Sequence, residues 1–231
     1  MENNFSENTL ENMNQAVWYN HWTLNKFTRF LKGDILEVGC GIGNFTKSLT
    51  KHGEVWAIDI DDGYVKQTKK RVEGKAIVGF GDIEKGRFFF KDKKFDTIVC
   101  LNVLEHIDKD EQALKNLYKL LKNGGNLILI IPAHPKLYGT IDKMIGHFRR
   151  YTKEDIKQKL TNCNFSILDL RRLNFLGAIG WFFSGKIFKS KTVSKNKITL
   201  FNMISPIVLP LENIIEPYFG ISIMIIAQKK P

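Results

Sequence analysis

The sequence predicts an α/β fold, an open and mostly parallel sheet with helices on its faces. Short apolar runs alternate with amphipathic helical segments through the first two thirds of the chain, and this alternation builds parallel strands joined by helical crossovers. The first run, Ile35-Leu36-Glu37-Val38, passes straight into a turn of alternating glycines, Gly39-Cys40-Gly41-Ile42-Gly43-Asn44-Phe45. The second, Glu54-Val55-Trp56-Ala57-Ile58-Asp59, ends in an acid sixteen residues past Gly43. Ligands of such sheets bind outside the carboxyl ends of the strands. A glycine turn lets a ligand approach the backbone closely, and the helix after it offers N–H groups to an electron-rich ligand edge.

The remaining elements follow in order. Residues 1–31 read as a helical lead-in rich in aromatics, with Trp18, Tyr19, Trp22, Phe27 and Phe30 set to cover the sheet edge, roof the ligand site or simply pack. The helix after the glycine turn is expected to end near His52-Gly53, with glycine as its C-cap. Ala76–Phe80 reads as a third strand leading into Gly81-Asp82-Ile83, and Phe95–Leu101 as a fourth leading into Asn102-Val103-Leu104-Glu105-His106-Ile107. Asp108 with Glu111 resembles a capping box. It opens a helix that places Leu114, Leu117, Tyr118 and Leu121 on one face and is closed by Gly124-Gly125. Asn126–Pro132 is the fifth strand. Thr152 with Asp155 starts another helix, with Ile156 and Leu160 on its buried side. Phe165–Leu173 and Ser222–Lys229 read as strands six and seven.

Nearly fifty residues separate those last two strands, which is long for such a link. This insert, residues 174–221, joins apolar aromatics (Phe175, Trp181, Phe182, Phe183) to Lys186, Lys189, Lys191, Lys195 and Lys197. Two readings stand side by side: a cap that shapes an acceptor pocket, and an interfacial element whose apolar side chains enter a lipid boundary while its lysines meet anionic headgroups. Dimerisation through the insert is a third.

The glycine spacing is E-x-G-x-G-x-G, with the third glycine one residue early for the dinucleotide fingerprint, which argues against NAD or FAD. Together with the strand-ending acid, G-D-I, N-V-L-E-H-I and N-G-G-N-L, the stretch from about Gly33 to Pro132 resembles the class I S-adenosylmethionine (SAM)-dependent methyltransferases. The resemblance implies a Rossmann-like sheet of seven strands with the seventh antiparallel, in one domain over residues 1–231. It implies SAM as cofactor and S-adenosylhomocysteine as product. Glu37, Gly39, Cys40, Gly41 and Gly43 would cradle the methionine part. Asp59 with Ile60 would hold the ribose, Asp61 and Asp62 being close enough to share that role. Gly81, Asp82 and Ile83 would meet the adenine, and Asn102, Val103 and His106 would line the methionine end. The run from Pro132 to Asp142, with Gly146-His147-Phe148-Arg149-Arg150-Tyr151 and Pro217–Ser222, is similar to a narrower subgroup that accompanies glycosyltransferases in polysaccharide or glycolipid pathways.

A hydroxyl acceptor needs a base near its proton, and histidine is matched to neutral pH. His147, in a polar cluster with Asp142, Arg149, Arg150 and Tyr151, is the first candidate and His134 the second; each could instead brace its loop or contact cofactor or backbone. The two arginines suit a phosphate or carboxylate or pair with Glu154 or Asp155. Tyr138 and Tyr151 could bound a sugar or lipid acceptor, or pack. No metal-ligand spacing is readable, and the element after strand four lacks the N/D/S-P-P-aromatic pattern of nucleobase amino-methyltransferases. Expected partners are a small-molecule, saccharide or lipid-linked acceptor and an anionic membrane surface, with no specific nucleic acid and the oligomeric state open. N-methylation of a small amine and a non-catalytic SAM-binding accessory subunit are the alternatives.

The formal net charge of +11 at pH 7 suits an anionic partner or reflects lysine-rich composition alone. Cys40, Cys100 and Cys163 show no paired spacing, which fits a reducing compartment. Met1–Leu10 lacks the apolar core of a signal peptide, and no segment reaches the roughly 20 apolar residues of a spanning helix. These point to the cytoplasm, with the inner face of the membrane as a further possibility.

Overall fold

The structure, a computed structural model, describes residues 16–188, 190 and 195–230. Strands β1 (Asp34–Val38), β2 (Glu54–Asp59), β3 (Ile77–Asp82), β4 (Arg87–Phe88), β5 (Phe95–Leu101), β6 (Leu121–Pro132), β7 (Phe165–Leu173) and β8 (Ser222–Lys229) form one sheet in the order β4-β3-β2-β1-β5-β6-β8-β7. The five strands from β3 to β6 pair in parallel, and β8 runs antiparallel to both β6 and β7. All seven expected strands are present. The eighth, β4, is a two-residue antiparallel addition to the edge at β3. It is held by Phe89 and Phe90 against Trp56, with ring centroids 5.7 and 5.6 Å away, and by Gly79, where a Cβ would lie 2.4 Å from the Phe89 ring.

Alternation along the strands divides the core in two. Leu36, Ile98, Leu129 and Ile225 face Leu114 and Leu117 of α4 (Asp110–Leu120) and Ile156 and Leu160 of α6 (Lys153–Asn162). Ile35, Val99, Ile128 and Met224 face Trp22, Leu24 and Phe27 of α1 (Val17–Phe27). The aromatic lead-in therefore packs under a sheet face, not along an edge; its first fifteen residues lie outside the description. The other helices are α2 (Thr46–Leu49), α3 (Asp62–Val72), α5 (Thr140–Met144), α7 (Phe175–Trp181) and α8 (Lys195–Val208).

Several local expectations are corrected. Helix α2 is a single turn ending at Leu49, and Gly53 is no C-cap: it lies before β2, where a Cβ would sit 2.1 Å from the Gly33 carbonyl. The N-cap of α4 is Lys109 with no side-chain bond, because Asp108 is taken by Arg149. Leu121 and the Gly124-Gly125 pair belong to β6, at a register shift opposite Phe95 and Thr97. At α6 the expectation holds, with Thr152 Oγ1 accepting from the Asp155 amide at 3.1 Å.

The insert is tied at its root. Buried Glu212 accepts from the amides of Asn174 and Phe175, both at 2.8 Å, and the Ile221 amide donates to the Asn174 carbonyl. Its far part lies on α5: Thr140 Oγ1 donates to the carbonyls of Gly185 (3.2 Å) and Ser190 (2.7 Å). The insert thus packs on α5, while much of its outer surface stays apolar. Phe188, Met203, Ile207, Ile214 and Ile215 are each at least 69% exposed.

Two features of β1 set the site. Gly39 has φ +72°, and a Cβ there would lie 2.3 Å from Cγ2 of Val103, so the turns after β1 and β5 interlock. We expect Gly39→Ala to destabilise by about 2–4 kcal/mol, from backbone strain plus overpacking. Val103→Ala in the same chain should recover part of the loss by chemical denaturation; full recovery would mean that backbone strain contributes nothing.

Glu37 is buried and accepts from Thr46 Oγ1 at 2.5 Å. Burial pushes its carboxyl up to about 8, against the Thr46 hydrogen bond and helped by Asp59. The native state keeps a proton that the unfolded chain, titrating at 4.5, has lost. Its contribution to stability therefore falls as pH rises from the unfolded value toward the folded one. Glu37→Gln should flatten this decline in Tm between pH 5 and 8. Equal slopes in both proteins would contradict the shift.

Candidate active site

The chain leaves β1 toward one side of the sheet and β5 toward the other, so the crevice lies outside the carboxyl ends of these two strands. The glycine turn after β1, Asp59-Ile60 after β2, Asp82-Ile83 after β3, Asn102–His106 after β5 and His134 after β6 all lie at that end of the sheet. Two non-glycine residues there have positive φ, Asn102 (+53°) and His134 (+58°). Both follow buried parallel strands, and such strained positions cluster at functional sites.

On the glycine side most backbone donors are already used. The amides of Gly39 and Cys40 donate to the Ile58 carbonyl, that of Gly41 to Asp59 Oδ2 at 2.8 Å and that of Gly43 to the Cys40 carbonyl. Helix α3 braces the turn from behind, Thr68 Oγ1 donating to the Gly41 carbonyl (2.7 Å) and Arg71 Nη1 to that of Ile42 (3.1 Å). The turn therefore offers a shaped backbone surface more than a row of free amides, and one-turn α2 adds little. Cys40 is buried, with burial raising its thiol well above the ordinary range.

Asp59 is 8% exposed. Its oxygens accept from Gly41 N and Asp61 N. A carboxylate has about four lone-pair sites, so each oxygen retains acceptor capacity for a diol. Burial raises its pKa, opposed by those amides. Ile60 beside it is 63% exposed, an apolar lip of the kind an aromatic base packs on. Asp61 is committed elsewhere: it caps α3, accepting from Gly63 N and Tyr64 N. Asp82 accepts from Lys85 N and pairs with Lys85 and Arg87 at 3.5 and 3.6 Å. Gly81 packs against Ile58, and Ile83 is buried in the core.

The acceptor side is organised by Asp142. This carboxylate is fully buried and accepts from Gly139 N (2.9 Å), Arg150 Nε (2.7 Å), Trp181 Nε1 (3.2 Å) and the His147 ring at Nδ1 (3.0 Å). Despite burial, which acts the other way, His147 and Arg150 hold its carboxyl below the usual range. An ionised carboxylate only accepts, so Nδ1 is the donor in the bond to Asp142 and Nε2 faces away from it. Nε2 lies 3.7 Å from Oε1 of Glu105, which is itself fully buried with no hydrogen bond to either oxygen. Burial pushes Glu105 up to about 7, with the positive field of His147 opposing. The His106 ring packs edge-on against His147, centroids 4.6 Å apart.

The sequence reading thus brings His147, Asp142 and Arg150 together correctly and misses Glu105. Its signal was a lone acid at the end of an apolar run, within the stretch already read as a cofactor motif. His134 stands apart, stacked on Phe219 at 4.0 Å with Nε2 buried and unpaired; burial, then Arg172 and Arg150, lower its pKa, so it is neutral at pH 7. The arginines are committed to the protein, not poised as an anion clamp. Arg150 is buried on Asp142, the Ala133 carbonyl and the Trp181 ring, and Arg149 pairs with Asp108 and Asp110, not with Glu154 or Asp155. Tyr151 is buried in the core, its hydroxyl donating to Asp110 (3.0 Å). Tyr138, by contrast, lines a groove of about 290 Å³ between α5 and the insert, with Thr140, Lys143 and Lys186.

Residues 36–129 match the model of a family described as "Methyltransferase domain". A ubiquinone biosynthesis O-methyltransferase of Coxiella burnetii is 33% identical over 100 residues, 42% of this chain and 43% of that protein. The chain thus spans less than half the length of the first curated relatives it matches. A malonyl-[acyl-carrier protein] O-methyltransferase of Ilyobacter polytropus is 26% identical over 179 residues, 71% of this chain and 66% of that protein. Among solved structures, a S-adenosylmethionine-dependent methyltransferase from Clostridium acetobutylicum superposes with TM-score 0.59 at 16% identity, covering 92% of this chain and 91% of that one. The N-methyltransferase NodS of Bradyrhizobium japonicum, in complex with S-adenosylhomocysteine, gives TM-score 0.54 at 17% identity, covering 86% and 78%. The similarity to a methyltransferase domain thus lies in residues 36–129, and the chain shares the Rossmann-like α/β fold of these solved methyltransferases.

Proposed function

We propose that this protein transfers a methyl group from SAM to a hydroxyl of a small-molecule, saccharide or lipid-linked acceptor. The observation that carries the reading is the interlock of Gly39 with Val103. It sets a cofactor cradle, made of the glycine turn and Asp59, two residues from Glu105 and the histidine cluster, which can handle a proton. When bound, SAM supplies a methyl group on positive sulfur that needs no further activation. Asp59 would hold the ribose diol and Ile60 would cover the base. The shaped turn from Gly39 to Gly43, with Glu37 beneath it, would receive the methionine part. The protein's remaining task is to place the acceptor and draw off its proton. That falls to the His147 cluster or to neutral His134.

Support for an oxygen acceptor comes from the two relatives named as O-methyltransferases. NodS shares the fold at low identity and lends the N-methyl alternative nothing beyond that. The saccharide or glycolipid class rests on the P-A-H-P to R-R-Y motif and on the groove beside Tyr138, where Lys143 and Lys186 suit an acceptor bearing negative charge. Calorimetric titration should show SAM and S-adenosylhomocysteine binding and NAD not binding. Asp59→Ala should weaken SAM by at least about tenfold, the loss expected from hydrogen bonds to a charged group. Binding of NAD alone would overturn the reading.

The insert's exposed apolar side chains extend the proposal to a peripheral encounter with anionic membrane, from the cytoplasmic side, where a lipid-linked acceptor would be met. Among the described residues no helix is long and apolar enough to cross a membrane. Lys186 and Lys197 are exposed on the insert, Lys197 also donating to Ser184 at 3.0 Å; Lys189 and Lys191 lie outside the described residues. The protein should sediment with phosphatidylglycerol vesicles and far less with phosphatidylcholine ones, and Ile207→Ser with Met203→Ser should weaken this. Equal recovery from both vesicle types, or none, would leave the insert as a cap alone.

A further inference from the structure

Glu105, His106 and His147 present one ligand atom each, all within 4.8 Å of one another. We propose that these three side chains bind a first-row divalent cation at the acceptor end of the crevice. The inference rests on the reading of the protein as a methyltransferase for its role in the reaction, but the site itself stands on the geometry.

The first reason is Glu105. A carboxyl with no solvent exposure and no hydrogen bond to either oxygen is expensive to bury, and the fold nonetheless carries it there at the start of the turn after β5. Nε2 of His147 lies 3.7 Å from its Oε1. That is too far for a hydrogen bond, yet a short way from the separation of two ligands sharing one ion, whose bonds run at about 2.0–2.2 Å each.

The second reason is the His147 ring. Nδ1 donates to Asp142, which is itself fixed by Gly139, Arg150 and Trp181. Metal-ligating histidines commonly give their second N–H to a carboxylate in this way, which sets the tautomer and aims the other nitrogen at the ion. A histidine whose only purpose was to brace the loop would have no need to leave Nε2 turned toward an unpaired acid.

The third reason is access. Glu105 closes the inner side of the cluster, while His106 is solvent-exposed. Three protein ligands with an open side are the arrangement of catalytic sites, which keep positions for water or substrate. Two imidazoles and one carboxylate suit zinc, manganese, iron or cobalt, whereas magnesium and calcium favour all-oxygen sets. The histidines are 41 residues apart in sequence, so no ligand spacing announces the set.

In the reaction the ion would take an acceptor oxygen in an open position, orienting it and making its hydroxyl more acidic. With two open positions it would favour acceptors that present neighbouring oxygens. His147 is then a ligand with both nitrogens engaged, and His134, whose Nε2 has no partner, is the histidine left to accept a proton.

The test uses the full chain treated with EDTA and dialysed. Titration with Co²⁺ should produce visible ligand-field bands at one ion per chain, and Mn²⁺ and Zn²⁺ should compete for the same site in calorimetry. Glu105→Gln and His147→Gln should each weaken cation affinity by more than tenfold, and Asp142→Asn by about 10–100-fold, the usual effect of a partner behind the ligand. SAM affinity, measured alongside, should stay within about twofold of wild type in Glu105→Gln. If a buried variant fails to fold, His106→Ala changes an exposed ligand and should also lose the bands. Absence of bands and of heat up to about 1 mM cation in protein that binds SAM would overturn the site, as would wild-type affinity in Glu105→Gln. Cation binding without SAM binding would instead keep the site and remove the methyl-transfer reading.

Discussion

Asp142 accepts from four donors that come from four places: the start of α5, the loop after it, the arginine that leads into Tyr151, and the indole of Trp181 in the insert. Burying an ionised carboxylate is costly unless its acceptor sites are met, and here these segments converge to meet them. The convergence orients the His147 ring, buries Arg150 against Trp181 and seats the insert on α5. Removing one partner from a buried pair of this kind costs about 3–5 kcal/mol, a large share of the roughly 5–15 kcal/mol by which a domain is stable. The acceptor side therefore behaves as one unit, and its chemistry cannot be assigned residue by residue.

The cofactor side obeys a different constraint, that of close backbone approach. Gly39 meets Val103, and the turn's amides are taken by the Ile58 and Cys40 carbonyls and by Asp59, so the turn's shape is set by the protein itself. The two sides share only the short stretch from Val103 to Glu105. Beside it, the two unusual backbone conformations at Asn102 and His134 follow the adjacent strands β5 and β6.

What the sequence made legible follows the range of the interactions. Strand identities, the glycine turn and the strand-ending place of Asp59 depend on alternation and local motif and appear as read, while the antiparallel last strand was implied by the family resemblance and is also present. So does the Thr152 cap, a bond over three residues. The capping box at Asp108 failed because a distant arginine claimed the acid, and the glycine pair at 124 and 125 reads like a helix stop although it lies in a strand irregularity. β4 rests on aromatic packing around Gly79. The grouping of Glu105 with His147 depends on a loop that returns after forty residues, and no local pattern encodes that. The arginine pair was read as an anion clamp or as partners of Glu154 or Asp155, since nothing in R-R-Y shows that one side chain turns inward.

The root of the insert, where Glu212 holds the amides of Asn174 and Phe175 and Ile221 returns to Asn174, closes the intervening residues into a loop whose two ends are joined before it reaches anything else. The register of β7 with β8 is thus shielded from whatever lies between them. Changes of length beyond that knot carry a small entropic cost for the sheet, while Leu209, Leu176 and Phe201 remain bound to the core beside α1. The outer surface of the insert can therefore vary while the sheet keeps its register, with Trp181 as the thread that ties it to Asp142.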